Sequence, residues 1–146
     1  SGCICPEHAF LRALTQHLLL DSQEALIMDM EAGIEHLGRA TAGCVDAFIV
    51  VVEPGQRSIQ TLKTIKKLAG DLGITKIFAV GNKIRNQEER EFLIKACEDV
   101  ELLGFLSYDP ELIEADRQGQ TPFKRCILYT QQVEAIKDNI LKLLDN

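Results

Sequence analysis

Short apolar runs alternate along this chain with stretches in which apolar side chains recur every three or four positions. The runs predict strands at 25–29, 47–53, 76–81 and 102–106. Helical spacing predicts helices at 6–20, 34–42, 59–71, 86–97, 111–118 and 133–144. Because strands that alternate with helices form βαβ units, we expect an α/β fold whose parallel sheet carries helices on both faces.

The run at 47–53 is continuous and rich in β-branched residues. Such a run is typical of a parallel strand that is covered on both faces. Ser58 can cap the helix that follows, and Gly73 is placed to end it. We therefore expect a strand, a tight turn and a helix between 47 and 73.

Composition and charge limit the classes of function. The 146 residues are 46% hydrophobic and 26% charged, so we expect residues 1–146 to form one folded domain. A net charge of −6 argues against a nucleic-acid partner, because phosphate contacts need clustered Lys and Arg. No apolar run approaches the roughly 18 residues of a membrane span, so no membrane partner is expected. Five cysteines without framework spacing fit a reducing cytoplasm.

The segment around Asp29 carries the strongest indication of chemistry. A predicted strand runs directly into Asp29, and a second carboxylate, Glu31, and a glycine, Gly33, follow. In open parallel sheets the ligand lies beyond the carboxyl ends of the strands. A carboxylate there can hold the water shell of a metal, and a glycine turn can follow a terminal phosphate. The plain alternative is a turn or a helix cap.

Three further strand exits carry polar residues. These exits are 53–57, Asn82 with Lys83, and 107–110, which includes Asp109 and Pro110. The carboxamide of Asn82 offers both a donor and an acceptor, which can match the edge of a purine, and the last exit could close over the same base. Each exit taken alone is also consistent with an ordinary surface turn.

Cys3 and Cys5 form a second candidate site. They precede Pro6, which suits the first turn of a predicted helix, and a helix N-terminus favours thiolates. Two thiolates make half of a tetrahedral site for Zn²⁺ or Ni²⁺, and a two-fold axis would supply the other half. His8 is an alternative ligand, and two cysteines near a frayed terminus are the plain reading.

These residues together resemble a known family. The segment from Asp29 to Arg39 resembles the second switch segment of the CooC group, MinD-like ATPases that assist nickel insertion into carbon monoxide dehydrogenase. Cys3-Ile-Cys5 is similar to the Cys-x-Cys of that group, and the resemblance extends over nearly the whole chain.

The resemblance implies a P-loop NTPase fold and an ATP hydrolase, which acts on a phosphoanhydride, as the activity of the intact parent. ATP or ADP with Mg²⁺ would be its nucleotide. By position, Asp29 would hold the water shell of the Mg²⁺, and Gly33 would let the switch loop follow the γ-phosphate. Glu31 would lie on the same switch.

The resemblance also implies a base site and a metal site. Asn82 would hydrogen-bond the adenine, with Lys83 and the backbone of Asp109 and Pro110 nearby. Cys3 and Cys5 would share one nickel or zinc ion across a homodimer, and carbon monoxide dehydrogenase would be the partner enzyme.

One departure from the family is decisive for activity. No Gly-x-x-x-x-Gly-Lys-Ser/Thr loop occurs in the 146 residues. We therefore expect a C-terminal portion that cannot hydrolyse ATP by itself, because the N–H groups and lysines of that loop hold the phosphates. The missing strand would leave a sheet edge open to a separate N-terminal piece or a second copy.

Two rival functions remain open at this point. One is a non-enzymatic metal-binding or dimerisation module that has lost nucleotide hydrolysis. The other is a generic doubly wound regulatory domain whose carboxylates at the strand ends are incidental. A phosphate-binding loop encoded upstream of Ser1, with ATP binding, would exclude the first.

Overall fold

Parallel strands and helices alternate in a computed structural model of the chain, which describes residues 25–29 and 45–144. The elements are β1 (Phe48–Val52), α1 (Gln56–Asp71), β2 (Ile77–Ile84), α2 (Gln87–Ala96), β3 (Glu101–Ser107), α3 (Pro110–Arg117), a 3₁₀ turn (Pro122–Lys124) and α4 (Ile127–Leu144). The strands form one parallel sheet in the order β1-β2-β3. This arrangement confirms the predicted α/β class.

Local sequence signals account for the helix ends. Asn86 caps α2 by accepting a hydrogen bond from the Glu89 N–H at 2.8 Å. Helix α1 ends in a Schellman motif, because Gly73 adopts a φ of 82° and the Ile74 N–H bonds the Ala69 carbonyl at 2.9 Å. The predicted role of Gly73 is therefore confirmed.

Apolar layers cover both faces of the sheet. On one face Val50, Val52 and Ala79 pack with residues of α1 and α2, among them Leu62 and Leu93. The opposite face carries Phe78, Val80, Leu103 and Leu106, against which Ile136 and Ile140 of α4 pack. None of the helices in the described residues is long and apolar enough to cross a membrane.

Strand β1 differs from the prediction that both of its faces are covered. Ile49 and Val51 are 46% and 58% exposed, whereas Phe48, Val50 and Val52 are buried. The cause is the position of α4, which packs mainly on β3. Within the described residues β1 pairs only with β2, so its outer edge has no partner strand there.

Residues 25–29 also depart from the prediction of a buried strand. The structure assigns them no regular secondary structure, and Ile27 is 88% exposed. A parallel strand is stable only where a neighbour completes its hydrogen bonds. This segment pairs with no strand in the described part of the sheet. The predicted helices 6–20 and 34–42 lie outside the described residues.

The remaining differences concern element boundaries. Strand β2 continues to Ile84, so Asn82 and Lys83 belong to the strand instead of following it. Helix α1 begins at Gln56 with Gly55 as its N-cap residue, so Ser58 lies in the first turn and does not cap it. Helix α4 begins at Ile127, about 1.7 turns before the predicted start at 133.

Candidate functional site

A half-open cavity of about 260 Å³ lies at the carboxyl ends of β1 and β2. Its walls come from the turn that joins β1 to α1 and from the end of β2. The lining residues are Glu53, Pro54, Gly55, Arg57, Ser58, Lys83 and Arg85. The structure therefore brings together two of the strand exits that the sequence singled out.

The charge of this cavity is mainly positive. Arg57, Lys83 and Arg85 contribute three cations, and Glu53 contributes one carboxylate. The Lys83 Nζ lies 2.6 Å from Glu53 Oε1, so that carboxylate is already neutralised by an ion pair. The Arg85 guanidinium also pairs with Glu89 at 3.8 Å, so Arg57 is the lining cation without an ion pair among the described residues. Its charge makes the cavity electrostatically suited to an anionic ligand.

Hydrogen bonds fix the Glu53 side of the cavity. The Glu53 N–H donates to Ser58 Oγ at 2.9 Å, and the Gly55 N–H donates to the Glu53 carbonyl at 2.7 Å. These two bonds hold the turn that follows β1. Ser58 thus organises the site from inside the first turn of α1.

Lys83 lies at an irregularity in β2. The register with β3 shifts between Gly81 and Ile84, where Gly81 pairs with Phe105 and Ile84 with Ser107. Strand β2 therefore has one more residue than β3 over this interval, which defines a β-bulge. Lys83 has a φ of 57°, in the left-handed region. Bulges of this kind redirect side chains and are common beside binding sites.

Asn82 is half-buried beside Lys83, but it is not among the residues that line the cavity. Its carboxamide makes no hydrogen bond with any residue that the structure describes. An amide with a free donor and a free acceptor can bind the edge of a purine. The position therefore suits the predicted contact with a base, which stays a prediction.

Sequence reasoning missed the contribution of Arg85. Its guanidinium lies over the Tyr108 ring, 4.7 Å from the centroid, and the Tyr108 N–H bonds the Ile84 carbonyl at 2.9 Å. The Arg85 N–H donates to Glu89 Oε2 at 2.7 Å. The Asn-x-x-Glu spacing from Asn86 to Glu89 resembles a capping box, and this spacing is the sequence signal that could have indicated that Glu89 holds the backbone at Arg85.

Asp109 and Pro110 begin helix α3 and do not line the cavity. The Asp109 carboxylate accepts a hydrogen bond from the Glu111 N–H at 2.9 Å, and Pro110 occupies the first turn. Asp109 therefore acts as an N-cap, which is an ordinary structural role for a carboxylate that follows a strand. The predicted contact of their backbone with a nucleotide is untested.

Of the other predicted site residues, the structure describes only Asp29. Asp29 is exposed and lies in the irregular segment 25–29. Glu31, Gly33, Cys3 and Cys5 lie outside the described residues, as does His8. Their predicted roles stay predictions.

The described cysteines have no feature of a metal site. Burial raises the pKa of both Cys97 and Cys126, which keeps these thiols protonated at neutral pH. Across residues 25–29 and 45–144 no group of three His, Cys, Asp or Glu side chains is arranged to hold a metal ion. Both cysteines are buried core residues.

Comparisons with known proteins give a consistent set of relatives. The chain is 44% identical to the carbon monoxide dehydrogenase accessory protein CooC of Rhodospirillum rubrum over 119 residues, which is 82% of this chain and 45% of that protein. It is 43% identical to an ATP-binding protein of Methanocaldococcus jannaschii over 145 residues, which is 97% of this chain and 56% of the relative. The chain thus spans about half the length of these relatives. No family model matches the sequence.

Solved structures agree on the fold. The MinD cell division protein of Aquifex aeolicus matches with a TM-score of 0.56 at 17% identity, over 74% of this chain and 48% of that one. The MinC:MinD cell division complex of the same organism matches with a TM-score of 0.53 at 18% identity, over 74% and 46%. At such low identity these matches define a MinD-like fold and nothing finer.

Proposed function

We propose that this chain, which belongs to the CooC-type group of MinD-like ATPases, supplies the base-binding half of an ATP site in a longer protein. The observation that carries the proposal is the Asn82 amide, which is half-buried at the carboxyl end of β2 and has no hydrogen-bond partner among the described residues. The similarity to CooC and to ATP-binding proteins of M. jannaschii supports adenine as the base. The amide would accept a hydrogen bond from the exocyclic amine of adenine and donate one to a ring nitrogen.

The remainder of the nucleotide site would lie on the segment that follows residue 28. Asp29 would hold the water shell of a Mg²⁺ ion, and Glu31 and Gly33 would belong to a loop that follows the γ-phosphate. The phosphate-binding loop itself is not among the 146 residues. The chain by itself is therefore proposed to be inactive as an ATPase.

The whole protein is proposed to be an ATP-dependent accessory factor for carbon monoxide dehydrogenase. Similarity to CooC over 82% of the chain supports this role. The cargo would be nickel, held with Cys3 and Cys5 of one subunit and the same pair of a second subunit, and zinc could occupy the same ligands. ATP-driven ordering of the switch would alter the metal site through the helix that precedes it.

Nucleotide titration of the full-length protein tests the base site. Two hydrogen bonds to adenine are worth about 1–3 kcal/mol together, so Asn82→Ala should weaken ADP binding by roughly 5- to 150-fold. Asn139→Ala is the matched control, because the Asn139 amide donates to the Leu103 carbonyl at 2.8 Å, away from the cavity. Equal affinity of the wild-type protein and Asn82→Ala would refute the base contact.

Metal titration tests the accessory role separately. The wild-type protein should bind one Ni²⁺ or Zn²⁺ per dimer, and a Cys3→Ser, Cys5→Ser variant should lose that stoichiometry. Sedimentation with and without ATP would measure the dimer. Activation of nickel-free carbon monoxide dehydrogenase by the wild type but not by the variant would support nickel as the cargo. Unchanged metal stoichiometry in the variant would remove this role.

A further inference from the structure

Lys83 combines two features that a strand does not require. Among the residues described, it alone has a positive φ without being glycine. Its side chain also leaves β2 and reaches the end of β1, where the ammonium pairs with Glu53 at 2.6 Å. A glycine would adopt the left-handed backbone without strain, but it would provide no cation to join the two strands.

The left-handed backbone of Lys83 lies in the same bulge as Asn82. The bulge between Gly81 and Ile84 sets Asn82 and Lys83 against a single residue of β3. A bulge changes the local twist and therefore the direction of both side chains. A change of conformation at 83 would therefore alter the bulge in which the Asn82 amide lies.

The ion pair holds that conformation from a second strand. Glu53 lies on the turn after β1. Its backbone hydrogen bonds with Ser58 and Gly55 already fix that turn. Its carboxylate is therefore a well-placed anchor for the ammonium. The ammonium, in turn, is engaged with a carboxylate, which leaves it poorly placed to bind a phosphate.

We propose that Lys83 is a positioning residue, which through its left-handed backbone and its ion pair with Glu53 holds the Asn82 amide in the orientation that recognises adenine. The proposal rests on the proposed function of Asn82. The resemblance placed Lys83 near the adenine, and the proposal gives it an indirect role there. Lys83 should therefore affect which base is preferred, and not through contact with the phosphates.

Competition between nucleotides and inorganic tripolyphosphate tests the proposal on the full-length protein. Inosine triphosphate lacks the exocyclic amine of adenosine triphosphate, so the ratio of the two affinities reports on the Asn82 contact. In Lys83→Ala and Glu53→Gln we expect this ratio to fall about fivefold, by more than any change in tripolyphosphate affinity. Lys83→Arg keeps the charge and should keep the ratio within about twofold of the wild type.

A double variant separates positioning from direct contact. In an Asn82→Ala background, Lys83→Ala should cause no further loss of selectivity, because the amide that it positions is absent. Equal loss of affinity for tripolyphosphate and both nucleotides in Lys83→Ala would overturn the proposal, because the ammonium would then contact phosphate. An unchanged ratio in both Lys83→Ala and Glu53→Gln would also overturn it.

The experiment distinguishes this proposal from the function on which it rests. If Asn82→Ala itself leaves the ratio unchanged, the base site is refuted and the positioning role falls with it. If Asn82→Ala lowers the ratio but Lys83→Ala and Glu53→Gln do not, only the positioning role is refuted. Glu53→Gln exchanges a half-exposed surface group for one of equal size, so its folding is expected to be preserved.

Discussion

Replacing Lys83 by glycine and by alanine should reveal the left-handed backbone as a difference in stability. Both substitutions remove the ion pair with Glu53. The two side chains of that pair are 52% and 51% exposed, so its loss costs only about 0.2–1 kcal/mol. This loss is common to both variants and cancels when they are compared.

The difference between the two variants comes from the backbone. A left-handed conformation costs an L-residue about 1–2 kcal/mol, and alanine retains that cost at a φ of 57°. Glycine escapes it, but loses roughly 0.5–1 kcal/mol in additional chain entropy. We therefore expect Lys83→Gly to be more stable than Lys83→Ala by up to about 1.5 kcal/mol, and by about 0.75 kcal/mol at the midpoints of the two ranges.

Urea unfolding of the two variants measures this difference, and Lys67 provides the control. Lys67 is exposed within helix α1, where glycine should be less stable than alanine by about 1 kcal/mol. The order of the two variants should thus reverse between positions 83 and 67. If alanine is the more stable residue at both positions, Lys83 is not left-handed in solution and the positioning argument fails.

Three further predictions concern stability and pH. Gly81→Ala should destabilise the protein by about 1–3 kcal/mol in urea unfolding, because its Cβ would lie 2.5 Å from the Phe105 ring; an unchanged midpoint would show that the ring moves aside. Asn86→Ala should cost about 1 kcal/mol through loss of the α2 cap, and Asn86→Asp should restore most of it; equal stability of all three proteins would exclude the cap. Burial raises the pKa of Cys97 above its ordinary 9.0, so the unfolding free energy should fall as the pH rises beyond that value. The fall should be less steep in Cys97→Ala, and parallel pH profiles of the two proteins would contradict this.

Local signals were sufficient for most of the fold. The β-branched run at 47–53 predicted a strand, and the structure has β1 at Phe48–Val52. Asn86 and Gly73 marked helix ends through hydrogen bonds that span three to five residues. Because such signals act between close neighbours in the chain, the sequence alone determined the element order and, with it, the α/β class.

The candidate site depended on contacts that the sequence does not display. The sequence identified Asn82 but placed it after the strand, because neither the bulge nor the extension of β2 to Ile84 has a local signal. The prediction that both faces of β1 are covered was likewise wrong, because the exposure of Ile49 and Val51 depends on where α4 packs.

The sequence by itself determined which polar and charged residues lie at the end of each strand. Only the tertiary structure decided that Lys83 pairs with Glu53, which lies thirty positions earlier in the chain. The physical reason is the parallel pairing of β1 with β2 after a helical connection, which brings together the carboxyl ends of two strands distant in sequence.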